Sequence, residues 1–555
     1  MPDKPIEELD VAIVGGGVAG VYAAWRILTG GEGTKLWTES GKKPRVGLFE
    51  YSDRIGGRLL SMDLPGTQHR KIELGGMRYL NSHWRVVALK ERFKLETRPL
   101  SVVDPTQSNL YYLRGQHFTS ADWSRPSFVP PYRLDRGERG RSPGELLVEV
   151  CLKHRHRLGQ LRNVGFWNLL LDECSLEAYQ MVRDAGGYES IVGNWSAAEA
   201  IPFLLADFGP GLDYFAFDDG YQSIPLRLGA EAEANGATIR LQHRLHRLDL
   251  HDTAVQLTFD TNPATFRNRQ LDPAAAKIIR ARHVILALPR RSIELLHQDS
   301  FLFSDPQFQD DLKTVLAQPA FKIFAAYRRP WWQERSLFSG RSVTDLPVRQ
   351  CYYWLPDDDV RPPGGSRPRD VNAILMASYN DSSSVQYWSG LARDTAHYEP
   401  PPFAVPPGVP IPNPIRDRSA SASMVAELQD QLREIHGLSD VPDPATAQII
   451  APYAAVYQDW TQEPFGGGWH FWKIGVNARQ VAQRIRRPVP TAPVYICGEA
   501  WSHQQGWVEG ALETTDDLLQ EEFGLSEPAK PASPAALRAA VAPSTKTIWD
   551  KARPR

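Results

Sequence analysis

A short apolar strand, Leu9 to Val14, runs directly into Gly15-Gly16-Gly17-Val18-Ala19-Gly20 and then into an apolar helix. That order of strand, glycine turn and helix builds a cradle for a dinucleotide. Gly15 makes the tight turn, Gly17 lets the backbone approach a pyrophosphate, and Gly20 lets the helix pack on the strand. The pyrophosphate then sits at the helix N-terminus. A second strand, Val46 to Phe49, delivers Glu50, a carboxylate placed to accept hydrogen bonds from ribose hydroxyls. Its interval from Gly20 is longer than such units usually show. The stretch Gly30 to Pro44, rich in Gly, Lys and Ser, reads as a surface insertion.

A chain of 555 residues is too long for one ordinary core, so more than one domain is expected. With 63 basic against 65 acidic side chains, the totals give no sign of a nucleic-acid partner. The basic cluster His154-Arg155-His156-Arg157 reads as a solvated helix face. Cys151, Cys174, Cys351 and Cys497 are scattered without metal-ligand spacing and read as reduced, buried thiols. No segment has the run of about 20 apolar residues that a membrane span needs. The first strand begins almost at Met1, leaving no room for a leader, so a soluble, cytoplasmic protein is expected.

Cofactor-domain material recurs in three separated stretches: residues 9–80, 220–290 and 486–523. Within them, Val284 to Leu288 is apolar at every position, as suits a parallel strand covered on both faces. Residues 144–219 read as a helical insertion, and residues 81–143 with 291–485 as a substrate domain of strands and loops. The proline-rich stretches Arg361 to Pro368 and Glu399 to Pro414 read as surface loops, and a helix is expected from Ser423 to His436. Residues 524–555 are rich in Ala, Pro, Ser and Lys and are expected to form a poorly ordered tail. The fold class is α/β of mixed type: a split, Rossmann-like dinucleotide domain, a mixed-sheet substrate domain and a helical insertion.

Glu50-Tyr51-Ser52-Asp53-Arg54-Ile55-Gly56-Gly57-Arg58 resembles the second motif of the flavin-containing amine oxidase superfamily, and Gly498-Glu499 with Gly506-Trp507-Val508-Glu509-Gly510-Ala511 resembles its closing motif. Within the superfamily the chain is most similar to the L-amino-acid oxidases, over roughly residues 9–520. The resemblance implies FAD. Relatives that attach it covalently use a cysteine in the segment matching Gly466-Gly467-Gly468-Trp469, which has none here, so noncovalent FAD is expected. Gly57 and Arg58 would meet the pyrophosphate, Glu499 the ribityl chain, Leu245 the adenine, and Trp507 and Val508 the flavin ring, with Gly76 and Met77 as further cofactor contacts.

The same resemblance assigns the chemistry. Arg78 would grip the substrate carboxylate, for which its planar fork is suited. The hydroxyl of Tyr379 would join it, and the Gly506 carbonyl would accept from the amine. Lys322 interrupts a strand that is otherwise apolar, where a buried ammonium is costly unless a function needs it. Relatives use a lysine there to hold a water beside the flavin. Trp469, Phe471 and Trp472 match the wall around the substrate side chain, with Trp507 beside them. Any of Asp184, Asp218 and Asp219 could pair with a cationic head, although solvated or helix-capping roles are the expected ones.

The implied reaction is oxidative deamination of an L-amino acid with a bulky apolar or basic side chain, using dioxygen and yielding hydrogen peroxide. An L-amino-acid 2-monooxygenase, an amine or polyamine oxidase and a flavin-bearing scaffold without turnover are the alternatives. No metal, nucleic acid or membrane partner is expected, and a homodimer is compatible with this reading.

Overall fold

The computed structural model describes residues 6–30, 34–67, 70–100, 109–208, 212–354, 372–412, 415, 417–438 and 450–530. The first proline-rich stretch and residues 531–555 of the tail lie outside them.

The glycine turn opens from the centre of a seven-stranded sheet. Glu7–Val14 lies between Val46–Phe49 and Ala276–Leu286, all parallel, and Thr238–Arg240 extends the sheet beyond Val46–Phe49. The last half of Ala276–Leu286 also pairs with Val494–Ile496, while its first half pairs with the antiparallel hairpin Arg244–His251 and Ala254–Asp260. Three segments distant in sequence thus build one sheet. Helices Val18–Thr29, Ser223–Ala234 and Val508–Phe523 pack on one face through Val21, Ile27, Leu228 and Leu512, and the other face is closed around Leu257, Ile279, Phe308 and Trp501.

A second seven-stranded sheet runs in the order Ala454–Asp459, Ala320–Tyr327, Ala373–Asp381, Gln350–Tyr352, Arg341–Thr344, Leu110–Leu113, Gln116–Thr119. Helices Ser382–Leu391 and Ala422–Ile435 cover one face, and Leu74 and Met77 from the first domain lie on the other. Every residue of Ala320–Tyr327 is buried, as expected for a strand covered on both sides. The third body is helical: Pro143–His154, Phe166–Glu173, Leu176–Gly186 and Ala197–Phe208 share a core. Among the described residues no helix is long and apolar enough to cross a membrane, and no cluster of side chains could hold a metal ion.

Local departures from the sequence reading have physical causes. The insertion after the first helix contains a short helix of its own, Lys35–Ser40. His154 is buried and bonded to Glu173, so the basic cluster is only partly solvated. Cys174 is half-buried, whereas the other three thiols are buried. The start of the tail is docked: Leu525 is buried, the Ser526 carbonyl accepts from Arg26, and Glu527 pairs with Arg85 at 2.7 Å. Two buried guanidiniums that need acceptors outweigh the low hydropathy of the segment.

Candidate active site

A cleft with about 1400 Å³ of empty space, open to solvent, runs along the ends of the parallel strands. Gly15, Gly17, Glu50, Gly57, Arg58, Gly76, Leu245, Glu499, Gly506, Trp507 and Val508 all line it. Gly20 and Met77 stand behind the lining. A Cβ on Gly20 would fall 1.9 Å from the Gly15 carbonyl oxygen, so Gly20 serves helix-to-turn packing. Met77 is buried in the adjoining core.

The cleft fits a dinucleotide. Gly17 and Gly57 approach so closely that a Cβ on Gly57 would sit 3.0 Å from the Gly17 Cα, which leaves backbone as the floor. The helices Val18–Thr29 and Val508–Phe523 both begin here, and neither has a side-chain cap, so their first amide groups are available to an anion. Glu50 accepts from the Gly16 amide at 2.6 Å and from the Ser52 amide at 2.8 Å, fixing the glycine turn to the end of the second strand.

Glu499 joins the far wall. Its carboxylate pairs with Arg58 at 2.9 Å and accepts from the amides of His470 and Gly506, each at 2.8 Å, and from the His470 ring at 2.9 Å. Burial alone would raise its pKa, but Arg58 and His470 hold it down at about 2. Arg58 also donates to the Gly468 carbonyl at 2.9 Å.

Beyond the cleft lies a cage of phenols around Arg78. The guanidinium sits 4.4 Å over the Tyr214 ring, and Tyr188, Tyr352 and Tyr379 are its other electrostatic neighbours. Its Nη1 is buried without a hydrogen-bond partner. Tyr379 is directly opposite Lys322 in the sheet register, and the lysine Nζ lies 4.4 Å from the Tyr379 ring centre. Lys322 donates to the carbonyls of Glu73 at 3.1 Å and Gly75 at 2.6 Å, which grips the segment that presents Gly76 and Arg78. Burial pushes its ammonium down to about 7, opposed by Glu73 and aided by Arg78.

Of the three wall aromatics, Trp469 alone joins this cage, at 6.5 Å from Tyr188 and facing Gly506. Phe471 stacks on Trp195 at 4.0 Å inside the helical body, and the Trp472 indole donates to the Ser502 carbonyl. Alternation along the strand Trp469–Trp472 turns Trp472 to the opposite face, while Phe471, on the face of Trp469, is taken up by the core of the helical body. The three acids proposed for a cationic head are likewise elsewhere. Asp184 bonds Tyr132 and Arg183, Asp218 pairs with Arg98, and Asp219 is exposed.

Sequence reasoning missed the residues that complete the cage. Tyr188 and Asp207 come from the helical body, Arg341 and Gln350 from the second sheet, and Tyr214 from a strand, Tyr214–Phe217, that pairs with Tyr79–Leu80 and Thr97–Pro99. Asp207 accepts from the Trp507 indole at 3.1 Å, and its carboxyl is pushed up to about 7 by burial, against the influence of Trp507 and Arg78. Arg341 donates to Gln350 Oε1 at 2.6 Å, and Gln350 donates to the Gly187 carbonyl at 3.0 Å. None of these belongs to a motif, and only the fold assembles them.

The family model for flavin containing amine oxidoreductases matches residues 18–397 and 417–515. The chain belongs to this family. FAD is therefore its cofactor, and the cleft is where it fits. Aplysianin-A of Aplysia kurodai is 28% identical, covering 95% of this chain and 92% of its own length. Achacin of Lissachatina fulica is 24% identical over 93% of each. A mouse L-amino-acid oxidase is 23% identical, covering 91% of this chain and 69% of its own. A putrescine oxidase structure with bound putrescine superposes with a TM-score of 0.62 at 17% identity, over 92% of this chain and 98% of that one, which shows a shared fold.

Proposed function

We propose that this family member oxidises L-amino acids, converting the substrate, water and dioxygen to a 2-oxo acid, ammonia and hydrogen peroxide. The observation that carries this reading is Arg78. It is a half-buried guanidinium surrounded by phenols, with a buried Nη1 that nothing in the described protein satisfies. An unfilled donor of that kind calls for an anion, and a substrate carboxylate supplies two matched acceptors. A simple amine has none to offer.

When bound, FAD supplies the two-electron acceptor for the substrate Cα–H. The residues of this chain hold the substrate to it. Arg78 and the Tyr379 hydroxyl fix the carboxylate, and the Gly506 carbonyl is offered to the amine. Orientation is then the main catalytic contribution. Lys322 keeps a proton-bearing group beside Tyr379 and is assigned to the oxygen half of the reaction. The walls formed by Trp469 and Tyr188 support a bulky side chain. The segment Gly466-Gly467-Gly468-Trp469 has no cysteine, on which the reading of dissociable FAD rests.

The test is anaerobic bleaching of the flavin across L-amino acids, their D-enantiomers and their decarboxylated amines. L-Amino acids are expected to bleach it and the amines to fail. Arg78→Lys, which loses the fork, is expected to weaken apparent amino-acid affinity about 30-fold with FAD retained, the scale for a buried charge-assisted pair. Equal bleaching by amines, or unchanged affinity in the variant, refutes the proposal.

A further inference from the structure

The connection between the strands Ala254–Asp260 and Ala276–Leu286, residues 261–275, is far longer than a hairpin needs and has a framework of its own. The Asp260 carboxylate accepts from the Asn262 amide at 3.0 Å and from the Thr265 hydroxyl at 2.6 Å, and Asn262 donates to Asp272 at 2.9 Å. Arg244 pins the loop a second time, donating to Asp260 at 2.9 Å and to the Gln270 carbonyl at 2.6 Å. A surface loop held this firmly is built to present something. Phe266 and Arg269 are what it presents, and both line the cofactor cleft.

Their neighbours place them at the adenosine end of that cleft. Glu50 is the carboxylate suited to ribose hydroxyls. Tyr51 follows it, and the Glu50 carbonyl accepts from the His243 amide at 2.8 Å, which brings Arg244 alongside. The buried Phe266 ring lies 4.9 Å from the Tyr51 ring and 5.7 Å from the Arg244 guanidinium. Tyr51 and Phe266 thus form one aromatic wall, a surface on which a purine can stack.

Arg269 reaches from this loop to the other domain. Its guanidinium holds the Glu463 carboxylate through Nη2 and through Nε, the latter at 3.3 Å, and Glu463 also pairs with Arg291 at 2.5 Å. Glu463 belongs to the segment leading from Ala454–Asp459 to Trp469–Trp472, which is tied again where the Ser292 hydroxyl donates to the Pro464 carbonyl at 2.7 Å. Glu463 lines the cleft as Arg269 does, so the ion pair joins two of its walls. The Arg269 backbone is left-handed, with φ 56°, a conformation that costs a residue bearing a side chain and persists where its surroundings enforce it.

We propose that residues 261–275 are a retaining strap for FAD: the Tyr51–Phe266 wall binds the adenine ring, and Arg269, Glu463 and Arg291 fasten the loop across the adenosine half of the cofactor. The strap concerns the cofactor alone and holds whichever substrate is oxidised. Arg269 and Glu463 are part-exposed, so salt screens their attraction and speeds the release of FAD.

The experiment follows exchange of bound FAD for 5-deazaFAD supplied in excess, read from visible absorbance at about 20 mM and about 500 mM salt. It compares the wild-type holoprotein with Glu463→Gln, Glu463→Asp and Phe266→Ala. Glu463→Gln is expected to release FAD about fivefold faster at low salt, the upper scale for a part-exposed pair, and to lose the acceleration by salt that wild type shows. Glu463→Asp keeps the charge and is expected to recover part of both effects. Phe266→Ala is expected to release FAD about tenfold faster at either salt concentration, the scale of a lost stack on a base. Arg269→Gln replaces Glu463→Gln if that variant misfolds. Exchange by the Glu463→Gln protein at the wild-type rate, or with the wild-type salt dependence, overturns the fastening. A wild-type rate in Phe266→Ala overturns the adenine wall. Flavin that stays with the protein after denaturation reveals a covalent link and overturns the whole proposal.

Discussion

Arg78, half-buried with an enclosed Nη1, and Lys322, fully buried, both stand beside Tyr379, yet they are held in opposite ways. A guanidinium keeps its charge in any protein interior, whereas an ammonium can shed a proton to escape the cost of burial. The Lys322 pKa is depressed to about 7, so the side chain is charged below that pH and neutral above it. If the charged form assists dioxygen, the rate of flavin reoxidation declines as pH rises through about 7. Lys322→Met is expected to remove that pH dependence and to slow reoxidation on the order of 100-fold, the scale of a lost proton-bearing group. Stopped-flow mixing of reduced enzyme with oxygenated buffer across pH 6 to 9 reads both effects. Lys322 was visible in the sequence because a lysine inside an apolar strand is conspicuous. Asp207 was not, since an acid on a helix usually faces water.

At the scale of elements, the cage is held closed by one loop. Residues 187–192 carry Tyr188 against Tyr379, with ring centres 5.2 Å apart. Asp381, at the end of a strand in the second sheet, accepts from the amides of Glu189 at 3.0 Å and Ser190 at 2.9 Å, while Gln350 holds the Gly187 carbonyl. Asp381→Asn replaces an anion receiving these donors with a neutral amide, at a cost of about 1.5–3 kcal/mol for hydrogen bonds to a charged group. The expected outcome is a lower melting temperature and a KM for amino acids raised about tenfold, with kcat less affected, read by thermal melts and steady-state assays. The strands themselves were legible from their apolar runs: Val46–Phe49, Ala276–Leu286 and Val494–Ile496 all overlap the segments expected. The loop was not legible, because its hydrogen bonds join residues about 190 positions apart.

Across the whole molecule, the beginning and end of the chain are tied by buried charges. Arg26 and Arg85 converge on Asp516, and Arg85 also meets Glu509 and Glu527. A chain ending at Leu525 loses the Ser526 and Glu527 acceptors, and is expected to be about 1–2 kcal/mol less stable than one ending at Lys530. Chemical denaturation of the two truncated chains measures the difference. Composition hid this docking, since a polar segment rich in proline reads as disordered until its acceptors are matched to particular guanidiniums.

The Glu499 clamp has a consequence for how the protein is made. Arg58 leaves the ribosome long before His470 and Gly506, and one carboxylate needs all three. A nascent chain therefore carries half a flavin groove until its second half has been made. Loading of the cofactor then waits on the later of the two halves.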